Sequence, residues 1–431
     1  MKALVISPGH PSFSIGGTQV ASFNLFRGLR RQPGWQAHYL AHVGPPIARH
    51  RQTPLMSLRQ GPDETLYWGD DYDWFYLSNN NLKDLVEHFE RFLHEYRPDI
   101  VNLHHSMGFG LQALRSVRRV LGDIPIVFTL HEYLPICLHH GQMIKTKTGK
   151  LCKSASPTDC ALCYPEIGAA NIMRREILIK GFLREVDAFV SPSHFLLERY
   201  RAWGLPDDKL VMIENGLDGG TVAPPRALPK AGAQRNRIGF FGQLNPFKGI
   251  KVLADAVNRV TSDVWSADAA LYVFGGNLEN QPPEFRDEVN QLFKTAGRRI
   301  RFMGPYASAD LPRLMREIDW VVIPSTWWEN SPVVIQEAFF HGRPIIASDI
   351  GGMAEKVRDG VDGLHFRAAS AESLAEKLTR AIREPELWQR LRDAIEPPCT
   401  ADDAARQHAA MFERLLERKA RGGSSGEELV A

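Results

Sequence analysis

The chain has 431 residues, 44% of them hydrophobic and 24% charged, which is ordinary globular usage at a length typical of two domains. The formal net charge is +2, and this balance gives no support to nucleic-acid binding. No apolar stretch approaches the roughly 20 residues that span a bilayer, and the N-terminal apolar run is too short for a signal-peptide core. These features predict a cytoplasmic protein and leave attachment to the inner face of a membrane open.

The first half of the chain alternates short β-branched runs with amphipathic stretches, a pattern typical of parallel α/β architecture. Residues 2–7 predict a first strand, and Gly16 and Gly17 lie in the loop before the next helix. Residues 44–80 show no clear period and are interpreted as irregular. The remaining predicted elements of this half are strands at 35–43, 99–105, 125–133 and 188–193, helices at 18–31, 82–98, 111–122 and 172–186, and a closing segment at 209–218.

Four of the five cysteines lie between residues 137 and 163: Cys137, Cys152, Cys160 and Cys163. In a large protein without secretion signals, clustered thiols of which two form a Cys-x-x-Cys pair favour a metal site. The insert is polar and too short to bury a core, so a structural metal could hold it together. Zinc is the first choice and an iron–sulfur cluster the second, with four reduced thiols as the alternative and His139 and His140 as competing ligands.

Residues 219–236 are rich in Pro, Gly, Ala and Gln and are predicted to link two domains. After them the alternation restarts, so the boundaries predicted are an N-terminal domain at 1–218, a C-terminal domain at 237–399, an amphipathic helix at 400–420 and a disordered tail at 421–431. The elements predicted in the second domain are strands at 237–244, 269–276, 298–306, 320–325 and 344–349, and helices at 249–260, 310–318 and 331–342.

Two glutamates stand out in the second domain. Glu329 follows the apolar strand at 320–325, where parallel sheets place ligands, and Glu337 falls inside the next helix. Asn330 or Ser331 can cap that helix, and Pro332 suits its first turn. The two carboxylates are expected on the order of 8–10 Å apart beside a helix N-terminus that can bind oxygen atoms. This spacing fits one nucleoside diphosphate sugar, with one carboxylate near the sugar and the other near the ribose.

The ordered set of motifs resembles the retaining glycosyltransferases of family 4, and the resemblance covers nearly the whole chain. It implies the α/β GT-B fold, in which two Rossmann-like domains face a central cleft and a C-terminal helix crosses back to the N-terminal domain. The four-cysteine insert is similar to one in some bacterial members. The motifs that carry the resemblance are Glu329 with Glu337, Gly16-Gly17, Thr129-x-His131-Glu132, the run 191–193, Asn215-Gly216 with Asp218, the segment 240–249, and Gly351-Gly352 with Glu355.

The resemblance implies roles in catalysis for three residues. Glu329 would lie near the anomeric carbon, Lys248 would contact the diphosphate, and His131 would contact the transferred sugar. Members usually have a basic residue at the position of Gln243, which here can donate a hydrogen bond but supplies no charge. The other residues implied to bind the donor are Gly16, Gly17, Gly304, Pro305, Tyr306, Asn330, Ser331, Pro332, Val333 and Glu337, with the turn at 304–306 at the nucleobase.

The implied reaction is transfer of a sugar, with retention, from a nucleoside diphosphate sugar to a glycan or lipid-linked acceptor, in bacterial surface or exopolysaccharide synthesis. The resemblance implies no catalytic metal. A covalent intermediate and same-face attack both fit these residues. A sugar-nucleotide epimerase of the same fold and a non-catalytic binding subunit are the alternatives, the second favoured by Gln243.

Asp71-Tyr-Asp73 matches the metal-diphosphate motif of another glycosyltransferase fold, but no convincing apolar strand precedes it.

Overall fold

The computed structural model describes residues 1–14, 16–58, 61–228 and 233–427, with no side-chain detail at 422–427. The chain divides into an N-terminal unit, Met1–Asp218 with Cys399–Ala431, and a C-terminal unit, Gly219–Pro398. Residues 229–232 of the predicted linker and 428–431 of the predicted tail lie outside the described residues.

The N-terminal unit is built on an eight-stranded sheet of order β10-β9-β8-β7-β1-β2-β4-β3, parallel except for β3. A separate two-stranded hairpin is formed by β5 and β6. The bounds are β1 Lys2–Ser7, α1 Gly17–Arg31, β2 Gln36–Val43, β3 Leu55–Leu58, β4 Gly61–Trp68, β5 Tyr72–Asp73, β6 Ser78–Asn79, α2 Leu82–Asp84, a π-helical turn Leu85–Phe89, α3 Glu90–Tyr96, β7 Ile100–Leu103, α4 Gln112–Leu121, β8 Ile126–Thr129, α5 Pro157–Cys163, α6 Gly168–Leu183, β9 Ala188–Ser191, α7 His194–Trp203 and β10 Leu210–Met212.

The interpretation of residues 44–80 as irregular is wrong. Strand β4 pairs in parallel with β2, from Tyr39 opposite Glu64 to Val43 opposite Trp68, and β3 pairs with β4 in the antiparallel sense. Gly61, Pro62 and Asp63 are poor strand formers, so pairing with a neighbouring strand outweighs local propensity here. A strand therefore does precede Asp71 and Asp73, but Asp73 accepts hydrogen bonds from two backbone N–H groups of its own turn.

The C-terminal unit has a six-stranded, all-parallel sheet of order β13-β12-β11-β14-β15-β16. Its strands are nearly continuous apolar runs because helices cover both faces of such sheets. The bounds are β11 Arg237–Phe241, α8 Ile250–Arg259, β12 Ala270–Phe274, α9 Pro283–Ala296, β13 Ile300–Gly304, α10 Leu311–Arg316, β14 Trp320–Ile323, α11 Val333–Phe340, β15 Ile345–Ser348, α12 Gly351–Lys356, β16 Gly363–Phe366, α13 Ala371–Arg383 and α14 Leu387–Asp393.

The last helix, α15 (Ala401–Glu427), packs against α1. The close approach depends on Gly28, because a Cβ atom there would lie 2.7 Å from the carbonyl oxygen of Ala401 and from the Cβ of Ala405. The predicted return of the C-terminal helix to the N-terminal domain is thus confirmed. Within the described part of the chain, no helix combines the length and the apolar character that crossing a membrane requires.

Candidate active site

In the C-terminal unit, Glu329 and Lys248 form an ion pair. Glu329 is buried in the loop after β14, and Lys248 Nζ lies 2.6 Å from its Oε1 atom. The same oxygen accepts hydrogen bonds from Ser325 Oγ at 2.8 Å and Trp327 Nε1 at 2.9 Å. All three donors meet Oε1, so the carboxylate is held in one orientation and its Oε2 atom has none of these partners.

The charge state of Glu329 follows from these contacts. Burial alone would raise the pKa of the carboxyl, but the Lys248 ammonium and the three hydrogen bonds outweigh burial and hold the pKa below its usual value. Glu329 is therefore ionised at neutral pH. A carboxylate that already accepts three hydrogen bonds is suited to orienting a ligand and stabilising positive charge.

Glycines bring the loops of the ion pair together. At Gly249, φ is 73° and an added Cβ would lie 1.8 Å from the carbonyl oxygen of Pro324. At Gly352, an added Cβ would lie 1.7 Å from the carbonyl oxygen of Asn330, and its N–H donates to the carbonyl oxygen of Glu329 at 2.6 Å. Only residues without a Cβ allow these approaches.

The expected side-chain cap of α11 is wrong. The helix begins at Val333, its N-cap residue is Pro332, and no side chain caps it. The Oγ atom of Ser331 is buried without a hydrogen-bond partner, and the Asn330 side chain accepts from the N–H of Ser331 instead. Proline fixes the path of the chain into the helix, so neither polar residue takes the cap position. The free N–H groups at this end of α11 remain available to an anionic oxygen.

Glu337 lies in α11, half-buried, and burial raises its pKa to about 7. Tyr306 follows β13, and its ring packs edge-on against Phe241 with centroids 5.6 Å apart. Burial, and then the charge of Glu337, raise the pKa of Tyr306. Glu337 and the predicted nucleobase turn of Gly304, Pro305 and Tyr306 thus belong to one neighbourhood. Gln243 is exposed directly after β11.

In the N-terminal unit, Gly16 is the N-cap of α1 and Gly17 its first residue. The φ of Gly16 is −156°, which any residue adopts, and no side chain caps the helix. The expected loop before a helix is therefore present, and no side chain occupies the cap position of α1. The N-terminus of α1, like that of α11, suits a negatively charged ligand.

His131 follows β8, and it pairs with a second histidine. Its Nε2 atom lies 2.9 Å from Nδ1 of His104, and the two rings stack with centroids 5.1 Å apart. Burial and the neighbouring His105 and His408 lower the pKa of His131 to about 3. Both rings are consequently neutral at pH 7, one nitrogen donating and the other accepting. His131 can offer hydrogen bonds to a ligand but not a positive charge.

The four thiols of the cysteine insert (residues 137–163) line one small cavity of about 30 Å³, together with His139. All four are reduced thiols, and Cys152 Sγ donates to the carbonyl oxygen of Ser154 at 3.0 Å. Among the described residues, however, no three Cys, His, Asp or Glu side chains are close enough to share a metal ion. The expected assembled zinc ligand set is therefore not seen. Burial raises the pKa of Cys160 to about 11, and protonated thiols gain nothing from converging.

Comparisons with known proteins match both units. The family pattern described as "Glycosyltransferase Family 4" matches residues 15–219, and the one described as "Glycosyl transferases group 1" matches residues 235–384. The chain belongs to glycosyltransferase family 4. The prediction of a glycosyltransferase is thereby confirmed.

The curated relatives of this family 4 chain include D-inositol 3-phosphate glycosyltransferases. That of Corynebacterium aurimucosum is 25% identical over 279 residues, covering 61% of this chain and 59% of the relative. That of Jonesia denitrificans is 24% identical over 324 residues, covering 73% and 68%. The match thus spans less than two thirds of the first relative's length.

Two solved structures show the fold of this glycosyltransferase. Anabaena HepE in complex with UDP and glucose has a TM-score of 0.63 at 19% identity, covering 96% of this chain and 99% of that one. Sucrose-phosphate synthase from Thermosynechococcus elongatus has a TM-score of 0.71 at 18% identity, covering 97% and 99%. The predicted GT-B fold, with two Rossmann-like parallel sheets, is confirmed.

Sequence reasoning missed several neighbours of the candidate residues in this glycosyltransferase. Ser325 and Trp327 hold Glu329, and Gly249 lets the Lys248 turn approach. His104 pairs with His131. The available signal was their position at or near the carboxyl ends of predicted strands, where a search for polar and glycine residues would have found them.

Proposed function

We propose that this chain transfers a sugar, with retention, from a nucleoside diphosphate sugar to a glycan or lipid-linked acceptor in the synthesis of a bacterial surface or secreted polysaccharide. The supporting observation is the ionised Glu329, oriented by Lys248, Ser325 and Trp327 at the carboxyl end of β14. The carboxyl ends of parallel strands are where α/β sheets place their ligands.

The C-terminal unit supplies the donor-binding groups in this proposal. The diphosphate lies against Lys248 and the uncapped N-terminus of α11, at Asn330, Ser331, Pro332 and Val333. Glu337 accepts hydrogen bonds from the ribose, and Gly304, Pro305 and Tyr306 meet the base. Gln243 donates a hydrogen bond to the diphosphate, so Lys248 is the main cation there.

The N-terminal unit supplies the acceptor side. His131 donates or accepts a hydrogen bond to a sugar hydroxyl, and Gly16 and Gly17 present backbone N–H groups. Glu329 stabilises the positive charge that develops at the anomeric carbon as the diphosphate leaves. Its low pKa and its three hydrogen bonds make it a weak nucleophile, which favours same-face attack. No step of this scheme uses a catalytic metal.

The first experiment is calorimetric titration of the full chain with UDP, GDP and ADP, followed by incubation with the sugars of the diphosphate that binds. We expect one diphosphate to bind, Glu337→Ala to weaken it, and Glu372→Ala, a change at an exposed glutamate of α13, to leave it unchanged. An α-linked product from an α-linked donor, identified by NMR, supports retention. Failure of all three diphosphates to bind would overturn the proposal.

The same assays separate the two alternatives. Conversion of the donor to its epimer without an acceptor would indicate an epimerase. Diphosphate binding without turnover against any lipid or glycan acceptor would indicate a binding subunit. The transfer rate is expected to be the same with and without added Mg²⁺ or Mn²⁺, because the scheme needs no catalytic divalent ion.

We further propose that the cysteine insert binds one structural zinc ion, with iron–sulfur as the second choice. The support is that Cys137, Cys152, Cys160 and Cys163 line one cavity with room for little more than an ion. Coordination would deprotonate the thiols and draw them together, and the short polar insert gains a centre that it otherwise lacks.

Metal analysis of the purified chain tests the zinc site. We expect about one zinc per chain, lost in Cys160→Ser, with Cys399→Ser as the control because Cys399 lies outside the insert. Iron with visible absorption would instead indicate a cluster. If neither metal is retained and all four thiols react with a thiol reagent in the native protein, the insert is not a metal site.

A peripheral membrane contact is proposed at α5 and α6. Met173 and Ile177 lie one turn apart on α6 and are 54% and 61% exposed, while the opposite face of α6 packs in the core through Ile172, Ile179 and Phe182. The exposed basic side chains of α6 and of the segment that precedes it are Lys145, Lys147, Lys150, Lys153, Arg174 and Arg184, against the exposed acids Asp159 and Glu166. An apolar stripe with a basic surround fits an anionic bilayer surface.

Sedimentation with vesicles of phosphatidylcholine, with and without phosphatidylglycerol, tests this contact. We expect binding only to the anionic vesicles and its loss in the double variant Met173→Gln with Ile177→Gln. Phe302→Gln is the matched control, because Phe302 is a similarly exposed apolar residue of the C-terminal unit. Equal binding by the double variant would contradict the proposal.

A further inference from the structure

The hairpin of β5 and β6, the aromatic hairpin (residues 72–79), displays an exposed tryptophan. It follows β4 at the carboxyl end of the parallel strands of the N-terminal unit, the edge at which β8 leads into His131. Trp74, at its turn, is 52% exposed, whereas the other eight tryptophans are buried or half-buried. An indole ring exposed at this edge offers an apolar face on which a ligand can stack.

The backbone of the aromatic hairpin is fixed. Tyr72 Oη lies 2.8 Å from Ser106 Oγ, in the loop after β7, and Asn79 Nδ2 donates to the carbonyl oxygen of Gly108 at 2.7 Å. The carboxylate of Asp73 accepts hydrogen bonds from the backbone N–H groups of Phe75 and Tyr76, at 2.7 and 3.0 Å. The ring of Tyr72 meets that of Trp74 edge-on at 4.9 Å. Trp74 is therefore presented by a rigid turn.

A buried guanidinium ties this turn to the segment that carries His131. Arg175, on α6, is 2% exposed and donates to the carbonyl oxygen of Phe75 at 2.6 Å. It also donates to the carbonyl oxygens of Leu134 and Pro135 at 2.6 and 2.7 Å. The residue after Trp74 and the residues three and four after His131 are thus hydrogen-bonded to one side chain.

We propose that Trp74 forms an acceptor subsite on which a pyranose ring of a glycan acceptor stacks. The faces of pyranose rings carry C–H groups that are weakly positive and apolar, and the face of an indole is apolar and carries negative charge density. The rim of the sugar keeps its hydroxyls free for polar neighbours, and His131 lies on the segment that Arg175 fixes beside the turn. This inference rests on the proposed transferase function and specifies its acceptor as a sugar rather than the apolar part of a lipid.

Saturation-transfer NMR of the full chain tests the subsite without needing a donor. The probes are the methyl glycosides of glucose, galactose, mannose and N-acetylglucosamine at millimolar concentration. We expect saturation of the ring C–H protons of at least one probe, with affinity reduced roughly three- to tenfold in Trp74→Ala. Trp74→Phe is expected to keep most of the signal, and Phe302→Ala, an equally exposed aromatic change in the C-terminal unit, all of it.

The outcomes are separable from those of the donor experiments. Absence of saturation for every probe, or an unchanged signal in Trp74→Ala, overturns the subsite even when a diphosphate binds. Protection of Trp74 from acrylamide quenching by detergent micelles but not by the glycosides would assign the surface to lipid and also overturn it. Calorimetry with the diphosphate is expected to give the same affinity for Trp74→Ala as for the parent, and no diphosphate binding by the parent would instead refute the transferase proposal.

Discussion

Lys248 and Glu329 form an ion pair in a partly buried setting, and the ammonium of Lys248 helps to keep the carboxyl group of Glu329 ionised. Removing the ammonium leaves a buried carboxylate with two neutral donors, and its pKa then rises because burial is no longer opposed by a cation. In the proposed scheme, the diphosphate loses its main positive partner at the same time. Catalysis and the charge state of Glu329 would then be coupled through one contact.

Lys248→Ala is expected to lower kcat of transfer by roughly 10²- to 10³-fold, the usual effect of removing a preorganised electrostatic partner. Steady-state kinetics with the donor found by calorimetry measures this. Lys251→Ala, three residues on, is the control, because Lys251 pairs with Glu288 on the surface of the same unit. A Lys248→Ala enzyme with parental kcat would show that the cation has no role in the reaction.

Glu337 titrates in the physiological range, since burial raises its pKa to about 7. In the proposed scheme, Glu337 accepts hydrogen bonds from two ribose hydroxyls, which a carboxyl group does fully only when ionised, so the nucleoside diphosphate should bind the ionised form of Glu337. Affinity should rise as pH increases from about 6 to about 8, and it should become flat over that range in Glu337→Gln. Calorimetry at several pH values checks the slope, and an unchanged slope in the variant would place the titrating group elsewhere.

At the scale of elements, the sequence predicted β14, α11 and their order well because both are strongly apolar segments bounded by Pro, Gly or polar residues. It failed at β4, whose polar start is outweighed by pairing with β2, and at the cap of α11, where Pro332 displaces the polar residues. The Lys248–Glu329 contact joins residues 81 positions apart. No local period reports such a pairing, so only the fold reveals it.

Gly249 shows how backbone geometry at an element's end serves the site. Its φ is 73°, and a Cβ added there would lie 1.8 Å from the carbonyl oxygen of Pro324, so alanine at this position displaces the Lys248 turn. Gly360 has the same φ of 73° but no atom within 4 Å of its Cβ position. Alanine substitutions at Gly249 and Gly360 therefore separate the effect of backbone strain from the effect of a steric clash.

Gly249→Ala is thus expected to lose most diphosphate affinity and transfer activity, while Gly360→Ala incurs only the strain of the left-handed conformation, about 1–2 kcal/mol of stability. Thermal unfolding and calorimetry on both variants give the comparison. Equal loss of affinity in the two would mean that the close approach to Pro324 does not position Lys248.

At the scale of the whole molecule, the chain's order and its spatial organisation differ. Residues 399–431 follow the C-terminal unit in sequence but belong to the N-terminal unit, where α15 completes the core beside α1. Phe412 of α15 is fully buried, and its ring lies 5.7 Å from that of Trp35. Ala405 and Leu415 are buried in the same cluster. The N-terminal unit therefore reaches its full core only after the last helix has been added.

Phe412→Ala is expected to destabilise the protein by about 3–5 kcal/mol, because it removes a large buried side chain from a core that cannot fully close around the gap. Arg418→Ala, at an exposed position of the same helix, is the control for changes in helix propensity and should shift the free energy of unfolding by less than about 0.5 kcal/mol. Urea unfolding followed by circular dichroism measures both. If the two variants unfold at the same urea concentration, α15 is a surface attachment rather than part of the core, and the close packing that Gly28 permits would contribute little to stability.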